Sequence, residues 1–359
     1  MDFFENEKLS AIKAKEEAQW ITFAPFVFQA TRVLRNSGIL STVEAHRGGI
    51  SLEQLTELVD LPKYGVRVLV EAALGIGLLT LNNGLYKITK TTYFILNDEL
   101  TRVNMDFTHD VCYQGMFFLD EAIKNEKPEG LKVFGEWPTI YEALSTNLPE
   151  QVKKSWFSFD HFYSDYAFPE VLPHVYKNKP KTLLDIGGNT GKWSMQSFAF
   201  DPDVKITIMD LPGHVGTAKD QIEEKGYGDR VSFYPCNVLN ESQPFPKGFD
   251  AIWMSQFLDC FSDSQIVSIL QRCREALSHD GYIYILETFW DRQRFETSAF
   301  SLQQTSLYFT TMANGNSQMY DSNVFIKCVK DAGLEVVEQI DYIGVSHTLL
   351  TCRPTLART

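Results

Sequence analysis

Two carboxylates and the glycines between them are the first chemistry that the sequence offers. Asp185 lies near the end of a short apolar run, Thr182 to Ile186, and the turn Gly187-Gly188-Asn189-Thr190-Gly191 follows it. A second run, Lys205 to Met209, then delivers Asp210, 25 residues after Asp185. A carboxylate that ends the second strand of a βαβ unit, at an offset of roughly 20 residues, grips ribose hydroxyls. Glycines let the backbone turn sharply and approach a ligand. The stretch Lys181 to Pro212 therefore reads as a nucleoside-binding unit with Asp210 on the ribose.

The spacing fails for a dinucleotide, which needs G-x-G-x-x-G around a pyrophosphate. An acidic residue at the strand end repels a pyrophosphate, but it attracts the ammonium of an amino-acid moiety carried next to a sulfonium. Ligand charge thus favours S-adenosylmethionine. The rival reading is an ordinary tight βα turn.

The elements that must position these residues follow from periodicity. Thr182 to Ile186 is too short for a helix and reads as a buried parallel strand, and Lys192 to Phe200 has helical apolar spacing. Beyond Asp210 the pattern alternates: Val215 to Lys225 helix, Val231 to Tyr234 strand, Phe249 to Met254 strand, Ile266 to Leu277 helix, Gly281 to Thr288 strand. Val324 to Ala332 is a further helix, and Leu334 to Ile340 and His347 to Cys352 are a closing strand pair. Such alternation specifies an α/β sheet.

LLDIGGNTG, MDLPGHV and LQRCREALSHDGYIYILE, in that order, resemble the class I methyltransferases, and among them the dimeric small-molecule O-methyltransferases of the caffeate and hydroxyindole type. The resemblance spans most of the chain. It implies a Rossmann-like S-adenosylmethionine-binding domain over residues 176–359, linker helices and an acceptor-pocket wall over 106–175, and an N-terminal, mostly helical, winged-helix dimerisation domain over 1–105. The implied cofactor contacts are Asp185, Gly187, Gly188 and Gly191 in the first loop, Asp210 on both ribose hydroxyls and Leu211 against the adenine. Asn237 and Val238 follow the third strand; an asparagine oxygen at Asn237, where the family has an aspartate, still accepts the adenine amino proton. Ser255 and Gln256 end the fourth strand, where the family has a lysine and a tryptophan nearby.

Methyl transfer from a sulfonium asks the protein to position the acceptor and remove its proton. The family's base is a histidine in an H-D-W-x-D stretch; here Asp259-Cys260-Phe261-Ser262-Asp263 places Asp259 in that position. Glu287 matches a glutamate that orients the base, and a second family glutamate falls on Met319. A carboxyl of reference pKa about 3.9 is a weak base for a phenol unless burial or the neighbouring Glu287 raises it. The competing role for Asp259 is a cap for a helix beginning near Ser262. His161, His109 and His347 are spare base candidates, and no cluster has metal-ligand spacing.

Phe159, Phe162, Tyr163 and Tyr166 share one helix face, with Tyr113, Phe117, Phe118 and Trp156 upstream, and read as the acceptor wall. Nearer the start, a charged helical stretch, Glu5 to Gln19, leads into Phe23 to Leu40, whose apolar positions recur at helical spacing until Ser37-Gly38 ends it. Ser51 to Gln54 starts a second helix with a capping signal, and Pro62 starts a third closed by Gly75 and Gly77. A hairpin turns at Asn82-Asn83-Gly84.

Helix, helix, hairpin also suits a DNA-binding regulator. Residues 1–110 hold six Lys and five Arg against five Asp and nine Glu, and the recognition-helix candidate offers only Lys63 and Arg67. A DNA reader carries a basic face. The whole chain has net charge −13, which disfavours nucleic acid and anionic membranes. Six cysteines without C-x-x-C spacing, and no long apolar span, point to a reduced cytoplasmic protein. The expected function is S-adenosylmethionine-dependent methylation of a small aromatic or polyketide-like hydroxyl by a homodimer. The alternative is a relative that binds the cofactor for another reaction, such as decarboxylation or hydroxylation, or for ligand sensing.

Overall fold

The computed structural model describes residues 2–355, which divide between Asp106 and Phe107 into two compact units. The first is helical apart from one hairpin. Its leading helix, α1 (Ala11–Asn36), starts at Ser10, whose hydroxyl accepts the Lys13 amide. It runs without a break through Pro25 to Asn36. Proline there removes its own hydrogen bond, and the carbonyl it frees belongs to Ile21, on an exposed turn where water serves. Gly38 at φ 80° then redirects the chain, so Ile39 and Leu40 belong to α2 (Ile39–Ala45).

Helix α3 (Leu52–Leu58) carries a reciprocal capping box between Ser51 and Gln54, and α4 (Lys63–Ile76) ends on left-handed Gly77. Strands β1 (Leu79–Asn82) and β2 (Leu85–Ile88) pair antiparallel around Asn83 and Gly84, both at positive φ as a tight hairpin turn requires. Helices α5 (Lys90–Asn97) and α6 (Glu99–Phe107) follow. Leu34, Leu40, Leu55, Val66 and Val70 form this unit's core.

The second unit includes α7 (Leu119–Asn125), α8 (Ile140–Leu144) and α9 (Glu150–Val175) together with the sheet. The sheet comprises β3 (Thr182–Ile186), β4 (Lys205–Asp210), β5 (Val231–Pro235), β6 (Phe249–Ser255), β7 (Leu277–Glu287), β8 (Leu334–Ile343) and β9 (His347–Pro354), in the order β5-β4-β3-β6-β7-β9-β8. Pairing is parallel from β5 to β7, and β9 runs antiparallel to both of its neighbours.

Helices cover both sheet faces: α10 (Lys192–Phe200) and α11 (Pro212–Glu224) with the end of α9 on one, and α12 (Asp263–Ala276) on the other, while α13 (Glu296–Tyr308) packs in the cluster of Phe107, Val111 and Leu144 and α14 (Ser322–Asp331) joins α12. One core holds Leu184, Ile186, Ile252, Met254 and Ile283; the other holds Leu183, Ile206, Ile208, Trp253 and Leu286. Burial on both faces is why these strands read as unbroken apolar runs. Chain order reverses between β3 and β6, and in sheets of this topology ligands bind at the strand C-termini beside that reversal.

Candidate functional site

The C-terminal ends of β3, β4, β5 and β6 open onto one cavity of about 290 Å3. Asp185, Gly187, Gly188, Asp210, Leu211, Asn237, Val238, Ser255, Gln256 and Asp259 all line it. Gly191 and Glu287 do not. Gly191 begins α10 at φ 78°, and a Cβ there would come within 2.8 Å of Ile222 Cδ1, so helix packing demands this glycine.

Asp185 is 1% exposed, and its Oδ2 accepts the Ser194 hydroxyl at 2.6 Å. Burial raises its pKa to about 7 against the lowering effect of that hydrogen bond, and the charge of Asp210 adds to the rise. Asp210 Oδ2 accepts the Asn189 amide at 2.8 Å and its Oδ1 accepts the Leu211 amide at 2.7 Å. Oδ2 keeps a lone pair for a ribose hydroxyl. His214, one turn along α11, puts Nδ1 3.2 Å from Asp210 Oδ1. Burial alone would lower its pKa, but the hydrogen bond and charge of Asp210 outweigh that and raise it.

A Cβ on Gly187 would lie 2.3 Å from the Phe257 ring, at φ 75°, and one on Gly188 would lie 2.8 Å from Ile208 Cγ2. The turn can thus press against the β6 loop only as glycine. Ser255 Oγ and Thr190 Oγ1, both on the cavity, have no hydrogen-bond partner among the described residues. Bare backbone, a ribose-competent carboxylate and unpaired hydroxyls suit the nucleoside and amino-acid ends of S-adenosylmethionine. Asn237 Oδ1 accepts the Leu239 amide at 2.9 Å, so one of its lone pairs holds the loop and the other is left for an adenine amino group.

The opposite end of the cavity is aromatic: Phe107, Trp156, Phe159, Tyr308 and Phe309 line it. Phe107 and Phe159 stack at 3.9 Å, and Trp156 Nε1 donates to the Tyr308 hydroxyl at 2.7 Å. The expected aromatic stripe is only partly right. Phe159 and Trp156 face the cavity, but Phe162, Tyr163, Tyr166, Tyr113, Phe117 and Phe118 do not. Phe162 packs between Tyr163 and Tyr166, and Tyr166 is 55% exposed. From α9, Trp156, Asp160, Ser164 and Phe168, an i, i+4 series in which two polar residues lie between two rings, line the cavity together with Phe159 and His161.

Asp259 sits in a 3-10 turn, Leu258–Cys260, and is 4% exposed. It does not cap α12, because Ser262 takes that place in a capping box with Gln265. Burial lifts Asp259 to about 7, opposed by the Cys260 thiol at 3.4 Å and reinforced by the charge of Asp160. Repulsion between Asp259 and Glu287, the partner expected from the sequence, acts within this pair as well. Burial and then the Asp259 charge push Glu287 itself well above the carboxylate range. Glu287 Oε1 accepts the amides of Phe257 and Leu258, so it holds the turn that carries Asp259.

Of the spare histidines, His161 lines the cavity, while His109 and His347 do not. His347 is buried, is lowered to about 4, and its Nε2 lies 3.1 Å from Gln256 Oε1, where it supports a backbone held at φ 47°. Sequence reasoning missed Asp160, Tyr141, His214 and Asn314. Only His214 carried a local signal, four residues beyond Asp210 on a helix.

The O-methyltransferase domain family matches residues 116–335, and a Dimerisation2-like domain matches residues 15–86. L-tyrosine C(3)-methyltransferase of Streptomyces lavendulae is 22% identical over 335 residues, covering 92% of this chain and 90% of that protein. Among solved structures, mitomycin 7-O-methyltransferase MmcR aligns with a TM-score of 0.71 at 15% identity, over 96% of this chain and 98% of that one. The O-methyltransferase NcsB1 from neocarzinostatin biosynthesis, solved with S-adenosylmethionine and 2-hydroxy-5-methyl naphthoic acid, aligns with a TM-score of 0.66 at 17% identity, over 91% and 95%.

Proposed function

Because the chain belongs to the O-methyltransferase domain family, we propose that it transfers the methyl group of S-adenosylmethionine to a hydroxyl of a small aromatic or polyketide-like acceptor. The observation that carries this reading is the continuity of one cavity, from the glycine turn and Asp210 to an aromatic box with Asp259 beside it.

When bound, S-adenosylmethionine supplies a methyl already activated on a sulfonium. Asp210 would hold the ribose through its carboxylate, Leu211 and Val238 would offer apolar contact to the adenine, and the Asn237 oxygen would accept from its amino group. Gly187 and Gly188 let the backbone come close, while Thr190 and Ser255 lend hydroxyls. Trp156, Phe159 and Tyr308 orient a planar acceptor by ring contact. The acceptor oxygen gains the methyl and its proton passes to the Asp259 carboxylate, leaving a methyl ether and a neutral thioether. Glu287 keeps the Asp259 turn in place. A base whose pKa lies near the working pH is the effective choice, and Asp259 is raised to about 7.

Among the described residues lining the cavity, Lys192 is the one lysine or arginine, and Asp165 engages it at 2.7 Å. This favours an uncharged acceptor over a carboxylate. The first unit supports pairing with a second copy: Ile12, Ile21 and Phe26 on α1 are each more than 70% exposed.

Methyl-labelled cofactor and a panel of phenols, naphthols and polyketide-like hydroxy compounds test the proposal, with the labelled atom located by NMR. Label on oxygen supports it. Label on carbon or nitrogen overturns the choice of acceptor atom, and tight cofactor binding without transfer across the panel favours the non-methylating alternative.

A further inference from the structure

Helix α9 is tied to the glycine turn at two points. Asp160 Oδ2 accepts from the Asn189 side-chain amide at 3.2 Å, and Asp165 Oδ2 accepts from Lys192 Nζ at 2.7 Å. The same helix supplies Trp156 and Phe159 to the aromatic end of the cavity. One rigid element therefore builds the acceptor wall and braces the turn opposite it.

Asn189 is where the brace matters. Its φ of 49° is in the left-handed region, which asparagine tolerates better than other residues with a Cβ, though not without cost. In that conformation its backbone amide points to Asp210 Oδ2 at 2.8 Å. A line of hydrogen bonds thus runs from Asp160 on α9, through Asn189, to Asp210 at the end of β4. His161 Nδ1 lies 3.9 Å from Asp160 Oδ2, and Lys192, Asp165, His214 and Asp259 are further charged or titratable groups that feel the Asp160 charge.

We infer that Asp160 is a positioning residue for the cofactor: through Asn189 it fixes the glycine turn and the Asp210 carboxylate in their binding conformation, so that cofactor affinity is set from the acceptor-wall helix. The inference rests on the methyltransferase reading. It assigns to Asp160 a structural demand met by a side-chain oxygen, distinct from simple attraction between a carboxylate and a cationic ligand.

Calorimetric titration of the full-length protein with S-adenosylmethionine and with the neutral thioether S-adenosylhomocysteine separates the two. Asp160→Ala is expected to weaken both ligands by roughly tenfold or more, the effect of losing a hydrogen bond to a charged group. Asp160→Asn keeps an acceptor oxygen and should stay within about threefold of wild type on the same grounds. Asn189→Gly takes positive φ without strain, so adding Asp160→Ala to it should cost little more, giving a clear coupling in the double-mutant cycle. Unchanged affinity in Asp160→Ala overturns the inference. So does full additivity of the two changes, or a loss in Asp160→Asn that equals the alanine variant and falls on S-adenosylmethionine alone, since charge would then be the cause. Should Asp160→Ala fold poorly by circular dichroism, Asp160→Asn and Asn189→Gly carry the test: parity of Asp160→Asn with wild type supports the brace and a tenfold loss removes it. Wild-type protein that binds neither ligand removes the methyltransferase reading as well, an outcome distinct from all of these.

Discussion

Glu287 Oε1 accepts the Leu258 amide at 2.8 Å and thereby fastens the end of β7 to the turn that presents Asp259. The same oxygen takes the Phe257 amide at 3.0 Å. Both amides belong to a turn that leaves β6 through Gln256, held at positive φ, and neither has a regular strand partner. The buried glutamate is therefore part of the loop's backbone hydrogen bonding.

Removing that acceptor has a calculable cost. Glu287→Ala leaves two amides unpaired, and each unsatisfied buried group costs about 1–3 kcal/mol. Glu287→Gln keeps the oxygen and matches the neutral form that burial favours, so its stability should stay near wild type. Chemical denaturation of the two variants checks this; equal losses in both would mean that the charge of Glu287, not its oxygen, holds the turn.

Asp259 links activity to pH. As the proposed proton acceptor it works when ionised, so turnover should rise as pH increases through about 7. Asp259→Asn should lower kcat by roughly 100- to 10,000-fold, the usual range for a general base, and flatten that limb. An unchanged profile in the asparagine variant would leave the proton to water.

The same raised pKa has a stability signature of definite sign. Between its unfolded value near 4 and its folded value of about 7, Asp259 holds more proton in the folded state than in the unfolded one, so its contribution to stability falls as pH rises through that window. Asp259→Asn abolishes this dependence. Thermal unfolding should find the variant more stable than wild type at pH 8 and little different at pH 4; a variant less stable at pH 8 contradicts the burial argument.

Asp210 should dominate cofactor affinity. Asp210→Ala removes charge-assisted bonds worth about 1.5–3 kcal/mol each and frees the Asn189 amide besides. Titration calorimetry showing unchanged affinity would dismiss the ribose assignment.

The apolar surface of α1 predicts a dimer. Light scattering of the full-length protein at micromolar concentration should give twice the chain mass, and Phe26→Glu, on a residue 72% exposed in the single chain, should shift it toward monomer. A wild-type monomer overturns the pairing.

The α/β sheet, and the placing of Gly187, Gly188 and Asp210 on one cavity at its strand ends, were legible in the chain alone, because both rest on local signals. Apolar runs such as Thr182 to Ile186 are buried on both faces, and Gly187, Gly188 and Asp210 sit where one βαβ unit places them, within a few residues of the strands that carry them. The resemblance to a family also located Asp259 and Glu287, but not what they do to each other. That Glu287 serves the backbone of the Asp259 turn, that Asp160 adds its charge to Asp259, and that Ser262 displaces Asp259 as the helix cap depend on distances between segments far apart in the chain. The acceptor wall was misread for the same reason. A helical period identifies residues that share a face, but which face of α9 meets the cavity was decided by packing: Phe168 against Trp193 and Trp253 turns Trp156, Asp160 and Ser164 inward, and leaves Tyr166 to solvent.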